Sequence, residues 1–119
     1  MKLVYFSLTN NTDRFVHKLD TDIPIVSINE YDGLDSFILF TPTHFYGEPP
    51  TKVVKFLEQH GNNIVGVVSF GNKNWGDNIF AMSGKVIAQK YNVPWLHRVE
   101  LSGTKEDVNK VNEILKGWE

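Results

Sequence analysis

The sequence predicts an α/β fold in which a mostly parallel sheet lies between helical layers, and three observations carry that prediction. Apolar, β-branched runs recur at residues 3–6, 23–28, 37–41, 64–70 and 94–101. Several of these runs are continuous rather than alternating, as strands covered on both faces are. Between most of them lie segments of helical periodicity, giving the order β-α-β-β-α-β-α-β-α.

The first strand, Leu3 to Phe6, leads into a short amphipathic segment, Thr12 to Leu19, with Phe15, Val16 and Leu19 apolar. Ile23 to Ile28 is the second strand and Phe37 to Thr41 the third. Only Asn29 to Ser36 separates these two, whereas a parallel crossover usually takes about 10–12 residues or more. Asp32-Gly33 also resembles a hairpin turn, so spacing alone leaves open an antiparallel hairpin and a tight, helix-free crossover. Thr51 to His60 forms the second helix, turning Val53, Val54, Phe56 and Leu57 inward before Gly61 stops it. Ile64 to Phe70 is a buried strand, and Asn78 to Tyr91 is a helix marked by Ile79, Met82, Val86 and Ile87. Pro94 to Leu101 is the last strand. The final helix starts with Thr104 and Asp107 at capping-box spacing, Asp replacing the usual Glu, and carries Val108, Val111, Leu115 and Trp118 along one stripe.

Composition bounds the function. The 119 residues, 41% of them hydrophobic, match one compact domain spanning 1–119. Twelve Lys and Arg against fourteen Asp and Glu give a net charge of −2, so neither a polybasic nucleic-acid footprint nor a strongly acidic docking face is present. The absence of cysteine excludes disulfides, thiolate nucleophiles, Cys-ligated zinc and iron–sulfur clusters. No apolar run approaches a membrane span, and the amino terminus enters a strand pattern without the features of a secretory signal. The expectation is a cytoplasmic protein with no membrane or nucleic-acid partner.

Three loops at strand carboxyl ends carry the chemistry-bearing residues, which is where ligands bind in open α/β sheets. The first, Ser7-Leu-Thr-Asn-Asn-Thr12, surrounds a helix start with hydroxyl and amide groups. With the helix dipole it suits a phosphate held without lysine, or it is simply an N-cap turn. It is neither a Walker loop nor G-x-G-x-x-G. Arg14 either neutralises that phosphate or is a solvated charge. The second loop, Thr41-Pro-Thr-His-Phe-Tyr-Gly47, and the third, Gly71-Asn-Lys-Asn-Trp-Gly-Asp77, are rich in aromatics and glycines. Phe45, Tyr46 and Trp75 can sandwich a planar ring, with Asn72 or Asn74 at its polar rim. Gly47, Gly71 and Gly76 allow close backbone approach. Asp77 either accepts a hydrogen bond from the ligand or caps the third helix. His44 either exchanges protons with a redox ring or is a surface residue, and Lys73 either faces a partner or solvent. A phosphoacceptor signalling domain would need acids where Ser7 and Thr41 stand. No Gly-x-Ser-x-Gly elbow is present, and no histidine has zinc-motif spacing.

These segments resemble the flavodoxin-like NrdI family, which serves class Ib ribonucleotide reductase. The resemblance rests on Ser7-Leu-Thr-Asn-Asn-Thr-Asp-Arg-Phe15, Phe37-Ile-Leu-Phe-Thr-Pro-Thr43, Gly71-Asn-Lys-Asn-Trp-Gly-Asp77 and Val93-Pro-Trp-Leu-His-Arg-Val-Glu-Leu-Ser-Gly-Thr104. It implies a flavodoxin-like three-layer sandwich with a five-stranded parallel sheet in order 2-1-3-4-5, which selects the tight crossover over the hairpin. It also implies a noncovalent FMN at the strand carboxyl ends. In that family the reduced flavin reacts with oxygen to give superoxide or peroxide, which helps assemble the dimanganese-tyrosyl radical cofactor of the reductase small subunit. A separate reductant recharges the flavin. By resemblance, Ser7, Thr9, Asn10, Asn11 and Thr12 hold the phosphate. Thr41 and Pro42 lead into Thr43, His44, Phe45, Tyr46 and Gly47 beside the ring, and Gly71, Asn72, Asn74, Trp75, Gly76 and Asp77 close its other side. The flavin carries the redox chemistry, so no catalytic side chain and no metal ligand is expected. Two departures stand out: Asn10 replaces a frequent Gly, and His44-Phe45-Tyr46-Gly47 carries less glycine than many relatives near flavin N5. The rival readings are an ordinary flavodoxin electron carrier and a flavin-free interaction module.

Overall fold

The computed structural model describes residues 1–44, 47–76 and 80–119, with Trp75 described by its backbone alone. Strand β1 (Lys2–Tyr5) is followed by α1 (Asn11–Val16), β2 (Ile25–Ser27), β3 (Phe37–Pro42), α2 (Thr51–His60), β4 (Ile64–Gly71), α3 (Ser83–Tyr91), β5 (Trp95–Glu100) and α4 (Lys105–Lys116). The five strands form a parallel sheet in the order β2-β1-β3-β4-β5. Leu3 stands opposite both Ile25 and Ile38, and Thr41 stands opposite Ser69.

Alternate residues of the central strands feed two cores. Leu3, Ile38, Phe40, Val68 and Phe70 pack with Phe15 and Val16 of α1 and with Val111 and Leu115 of α4. Val4, Phe37, Leu39 and Val67 pack with Val53, Phe56 and Leu57 of α2 and Ile87 of α3. A period of two with both residue sets apolar reads as continuous hydrophobic strands, which is why these runs were legible.

The connection from β2 to β3 is a crossover without a helix: both strands flank β1 in parallel. Tyr31 occupies the space a crossover helix would fill. Its ring packs edge-on against Phe37, Phe56 and His60, with centroids 5.0, 5.6 and 5.1 Å away. Its hydroxyl donates to the Asp35 carbonyl and accepts from Asn63 Nδ2 at 3.0 Å. The same amide donates to the Gly33 carbonyl at 3.1 Å, so this short segment satisfies its polar groups without helical bonds.

Two helices differ from the sequence reading. Helix α1 ends at Val16 because, past the His17 amide that still bonds to Asp13, the Lys18 and Leu19 amides bond three residues back to Phe15 and Val16 and tighten into a turn. Helix α3 starts at Ser83, because Ala81 takes a left-handed φ of 53°. Asn78 and Ile79 lie outside the described residues. Helix α2 ends at His60 as the sequence indicated, and Gly61 at its C-cap has an ordinary helical φ of −60° and opens a 3₁₀ turn. Its requirement is space: a Cβ there would come 2.3 Å from the Tyr91 ring.

Helix α4 keeps its capping box. The Asp107 amide donates to Thr104 Oγ1 at 3.2 Å and the Thr104 amide donates to Asp107 Oδ2 at 2.9 Å. Asp107 Oδ1 also meets His97 Nε2 at 2.9 Å, tying α4 to β5. Val111 and Leu115 are buried and Val108 is half-buried, but Trp118 lies beyond the helix with 37% of its surface exposed. Burial pushes the Asp107 carboxyl upward, yet the Thr104 amide, His97 and the Thr104 hydroxyl outweigh it and hold its pKa below the ordinary carboxylate value. A depressed carboxylate stabilises the fold above its unfolded pKa of about 4, and that contribution drains away as pH falls through the folded value. Asp107→Asn should therefore lower unfolding stability by about 1 kcal/mol at neutral pH. The gap to the parent should narrow as denaturant titrations are repeated below about pH 4.

Candidate functional site

The carboxyl ends of β1, β3, β4 and β5 surround an open cleft of about 210 Å³, lined by Leu8, Thr9, Asn11, Thr12, Pro42, Thr43, Phe70, Gly71, Asn72 and Leu101. The parallel pairing makes this inevitable, since all four strands deliver their following loops to one edge. Under the cleft, Phe70 packs edge-on against Phe15 at 5.2 Å, so the start of α1 and the end of β4 share one aromatic support. The β5–α4 turn closes on the same ring, because a Cβ on Gly103 would come 2.8 Å from Phe15.

The turn after β1 forms the polar end. Asn10 sits at the N-cap position with φ 65° and ψ −1° and makes no side-chain capping bond. The capping role falls to Ser7, whose Oγ accepts from the Asp13 amide at 3.4 Å. Asn11 Nδ2 donates to Thr9 Oγ1 at 3.2 Å, which holds two cleft-lining side chains together. The Asn11 and Thr12 amides open the helix and have no acceptor within it. With only six residues in α1, the donors of this turn matter more than a helix dipole. The left-handed backbone also explains Asn at position 10, since Asn tolerates that conformation better than most side chains and Gly better still.

The loop after β3 contributes Pro42 and Thr43 to the wall. Thr43 Oγ1 lies 2.7 Å from Ser83 Oγ and accepts from the Ser83 amide at 3.3 Å. Thr41 is fully buried and its hydroxyl donates to the Pro42 carbonyl at 3.0 Å, so it belongs to the sheet rather than to the cleft. His44 and Glu48 exchange backbone hydrogen bonds of 2.7 and 3.0 Å around Gly47, whose φ is 95°. Phe45 and Tyr46 lie outside the described residues.

In the loop after β4, Gly71 and Asn72 line the cleft. Asn72 Oδ1 accepts from the Asn74 amide at 2.9 Å, starting a 3₁₀ turn over Lys73–Trp75 that ends at Gly76 with φ 110°. Asn74 and Gly76 are exposed and stand away from the cleft lining. The β5 motif holds this loop from outside. Glu100 Oε2 accepts from the Lys73 amide at 3.1 Å, and the Leu101 amide donates to the Gly71 carbonyl at 2.9 Å. Arg98 and Lys73 place their cations 5.6 and 5.4 Å from the Phe80 ring centre. Asp77 and the Trp75 side chain lie outside the described residues. Met82 occupies the N-cap position of α3.

Sequence reasoning missed the apolar members of the lining. Leu8 and Leu101 are 51% and 48% exposed at opposite sides of the cleft. The available signal was an apolar residue set among turn residues just past a strand, in Ser7-Leu-Thr9 and Glu100-Leu-Ser-Gly103.

Residues 3–113 match the family model described as NrdI Flavodoxin like. The chain belongs to the NrdI family. It is 43% identical over 126 residues to Protein NrdI of Mesoplasma florum, with 96% of this chain and 83% of that protein covered. Among solved structures, the fold is similar to oxidised Flavodoxin 1 from Bacillus cereus, with a TM-score of 0.68 at 15% identity, covering 94% of this chain and 91% of that one. It is also similar to Fusobacterium nucleatum flavodoxin bound to flavin mononucleotide, with a TM-score of 0.59 at 15% identity, covering 98% and 95% of the two chains. NrdI membership thus accounts for the order of the four sequence segments, while the structural likeness shows the flavodoxin fold. Among the described residues, no helix is long and apolar enough to cross a membrane.

The left-handed turn of the cleft is open to test. Asn10→Gly should leave unfolding stability within a few tenths of a kcal/mol, whereas Asn10→Ala should cost about 1 kcal/mol by denaturant titration, because only the latter is penalised at positive φ.

Proposed function

We propose that this protein is a cytoplasmic FMN-binding redox protein, spanning residues 1–119 as one domain, that supplies an oxygen-derived oxidant to the small subunit of class Ib ribonucleotide reductase. The observation that carries the reading is the cleft at the sheet's carboxyl edge in a chain of the NrdI family. One end offers the hydroxyls and amides of Thr9, Asn11 and Thr12, and the walls offer Leu8, Pro42, Phe70 and Leu101. That donor set fits a phosphorylated ligand with a flat apolar body.

On this reading the turn after β1 receives the phosphate. Thr9, Asn11 and Thr12 present side chains, with the Asn11 and Thr12 amides beside them, while Ser7 and Asn10 set the turn's shape. Thr43, His44, Phe45, Tyr46 and Gly47 border one side of the ring, and Gly71, Asn72, Trp75 and Asp77 border the other. The bound flavin would supply electron transfer to dioxygen, giving superoxide or peroxide for assembly of the dimanganese-tyrosyl radical cofactor. The protein's own part is to bind, orient and shield, with a separate reductant delivering electrons. Leu8 and Leu101, exposed at the cleft rim, suit a docking surface that keeps water from the transfer path.

The test is radical assembly. The reduced, FMN-loaded protein is mixed under oxygen with the manganese-loaded small subunit, and the tyrosyl radical is counted by electron paramagnetic resonance. The expected result is a radical yield well above that obtained with an ordinary flavodoxin of matched potential. Equal yields would reduce the protein to a general electron carrier.

A further inference from the structure

Two loops proposed to border the flavin ring are joined by a line of hydroxyl groups that the binding role does not itself require. At its centre is Ser69, fully buried on β4. Its Oγ donates to the Ala81 carbonyl at 2.6 Å and accepts from the Trp95 indole Nε1 at 2.8 Å. Two residues further on, Ser83 is also fully buried and meets Thr43 through its hydroxyl, at 2.7 Å, and through its amide, at 3.3 Å. The line therefore runs from β5 through β4 to the base of the loop after β4, and ends on the loop after β3.

The surrounding backbone is shaped around this line. A Cβ on Gly84 would fall 2.2 Å from Trp95 Nε1 and 2.4 Å from Ser69 Oγ, so only glycine leaves room for the bond between them. A Cβ on Gly71 would fall 2.5 Å from the Ala81 amide nitrogen. Ala81 itself has a φ of 53°, a conformation that an alanine holds only when its neighbours impose it. The bond from Ser69 to the Ala81 carbonyl is one such neighbour. Apolar side chains would fill these positions at similar stability, but would not define a single separation, because hydrogen bonds are directional and packing is not.

We propose that this relay, Trp95 to Ser69 to Ala81 and Ser83 to Thr43, fixes the spacing between the loops after β3 and β4, making Ser69, Ser83 and Thr43 positioning residues for the flavin ring. The inference rests on the FMN reading above and assigns Thr43 an action through Ser83 in addition to its place in the cleft wall. Supports of this kind decide whether a binding constellation holds its geometry.

A double-mutant cycle tests it with the full chain: Thr43→Val, Ser83→Ala, the pair together, and Thr43→Ser as the conservative control. FMN dissociation constants, flavin absorption spectra and midpoint potentials are measured for each, with hydrogen exchange of the FMN-free proteins at residues 71–76 and 80–84. Each of the first two variants should weaken FMN roughly fivefold, the loss expected for one hydrogen bond. The double variant should be no weaker than the worse single, and Thr43→Ser should lie within about twofold of the parent. Ser83→Ala, though it lines no part of the cleft, should shift the flavin spectrum or potential and speed exchange in both segments. Additive losses would overturn the proposal, since Thr43 would then act on the ligand independently of Ser83. So would a Ser83→Ala protein with parental affinity, spectrum and exchange. A parent protein that takes up no FMN would instead overturn the FMN reading and with it the relay's role toward a ring. Faster exchange in the variants would still identify the tie between the loops.

Discussion

Strand β3 has water on neither face: Phe37 to Thr41 are all fully buried, with Phe37 and Leu39 turned to the α2 and α3 layer and Ile38 and Phe40 to the α1 and α4 layer. Burying each of those four large side chains contributes about 1.5–3 kcal/mol, so together they amount to the net stability of an ordinary domain. A one-residue slip of β3 would exchange the two sets and turn each toward the wrong helices. Register is therefore fixed where the chain is most buried. Because β1 and β4 pair with β3 in parallel, fixing β3 also fixes where their following loops emerge.

The cleft is the consequence of that convergence, and its walls show a division of labour. Side chains facing it combine polar groups from Thr9, Asn11, Thr12 and Asn72 with apolar ones from Leu8, Phe70 and Leu101, while bonds that hold their loops lie behind them. Glu100 holds the Lys73 amide, Ser69 holds the Ala81 carbonyl, and Thr43 meets Ser83. The Val93 to Thr104 segment, which carries much of the family resemblance, therefore acts largely from the second row. Trp95 meets Ser69 and Glu100 holds the loop after β4, and only Leu101 of that segment reaches the cleft itself.

Most of the fold was legible because continuous apolar runs mark strands buried on both faces. The β2–β3 crossover was not fixed by spacing, since what replaces a helix there is Tyr31 packing on Phe56 and His60, residues distant in the chain. The start of α3 was misplaced for a related reason: Ala81 adopts its left-handed backbone through contacts with β4 that no local propensity encodes. Gly61 stops α2 where the sequence placed the stop, and what the sequence did not reveal is that Tyr91 leaves no room there for a side chain. In the site, the gathering of Thr9, Asn11, Thr12, Pro42, Thr43, Gly71 and Asn72 into one cleft followed from loop positions alone. Leu8, Phe70 and Leu101 escaped notice because an apolar side chain near a strand end reads as core.

The family assignment, the parallel sheet and the cleft all point to one ligand chemistry, and its uptake is the most direct measurement of the account. The purified protein, freed of any bound cofactor, is titrated with FMN while flavin fluorescence and visible absorption are followed. The account predicts saturable binding of one FMN per chain, with a flavin spectrum altered from that of free FMN. A protein that stays colourless, leaves flavin fluorescence unquenched and retains no FMN through gel filtration would contradict it.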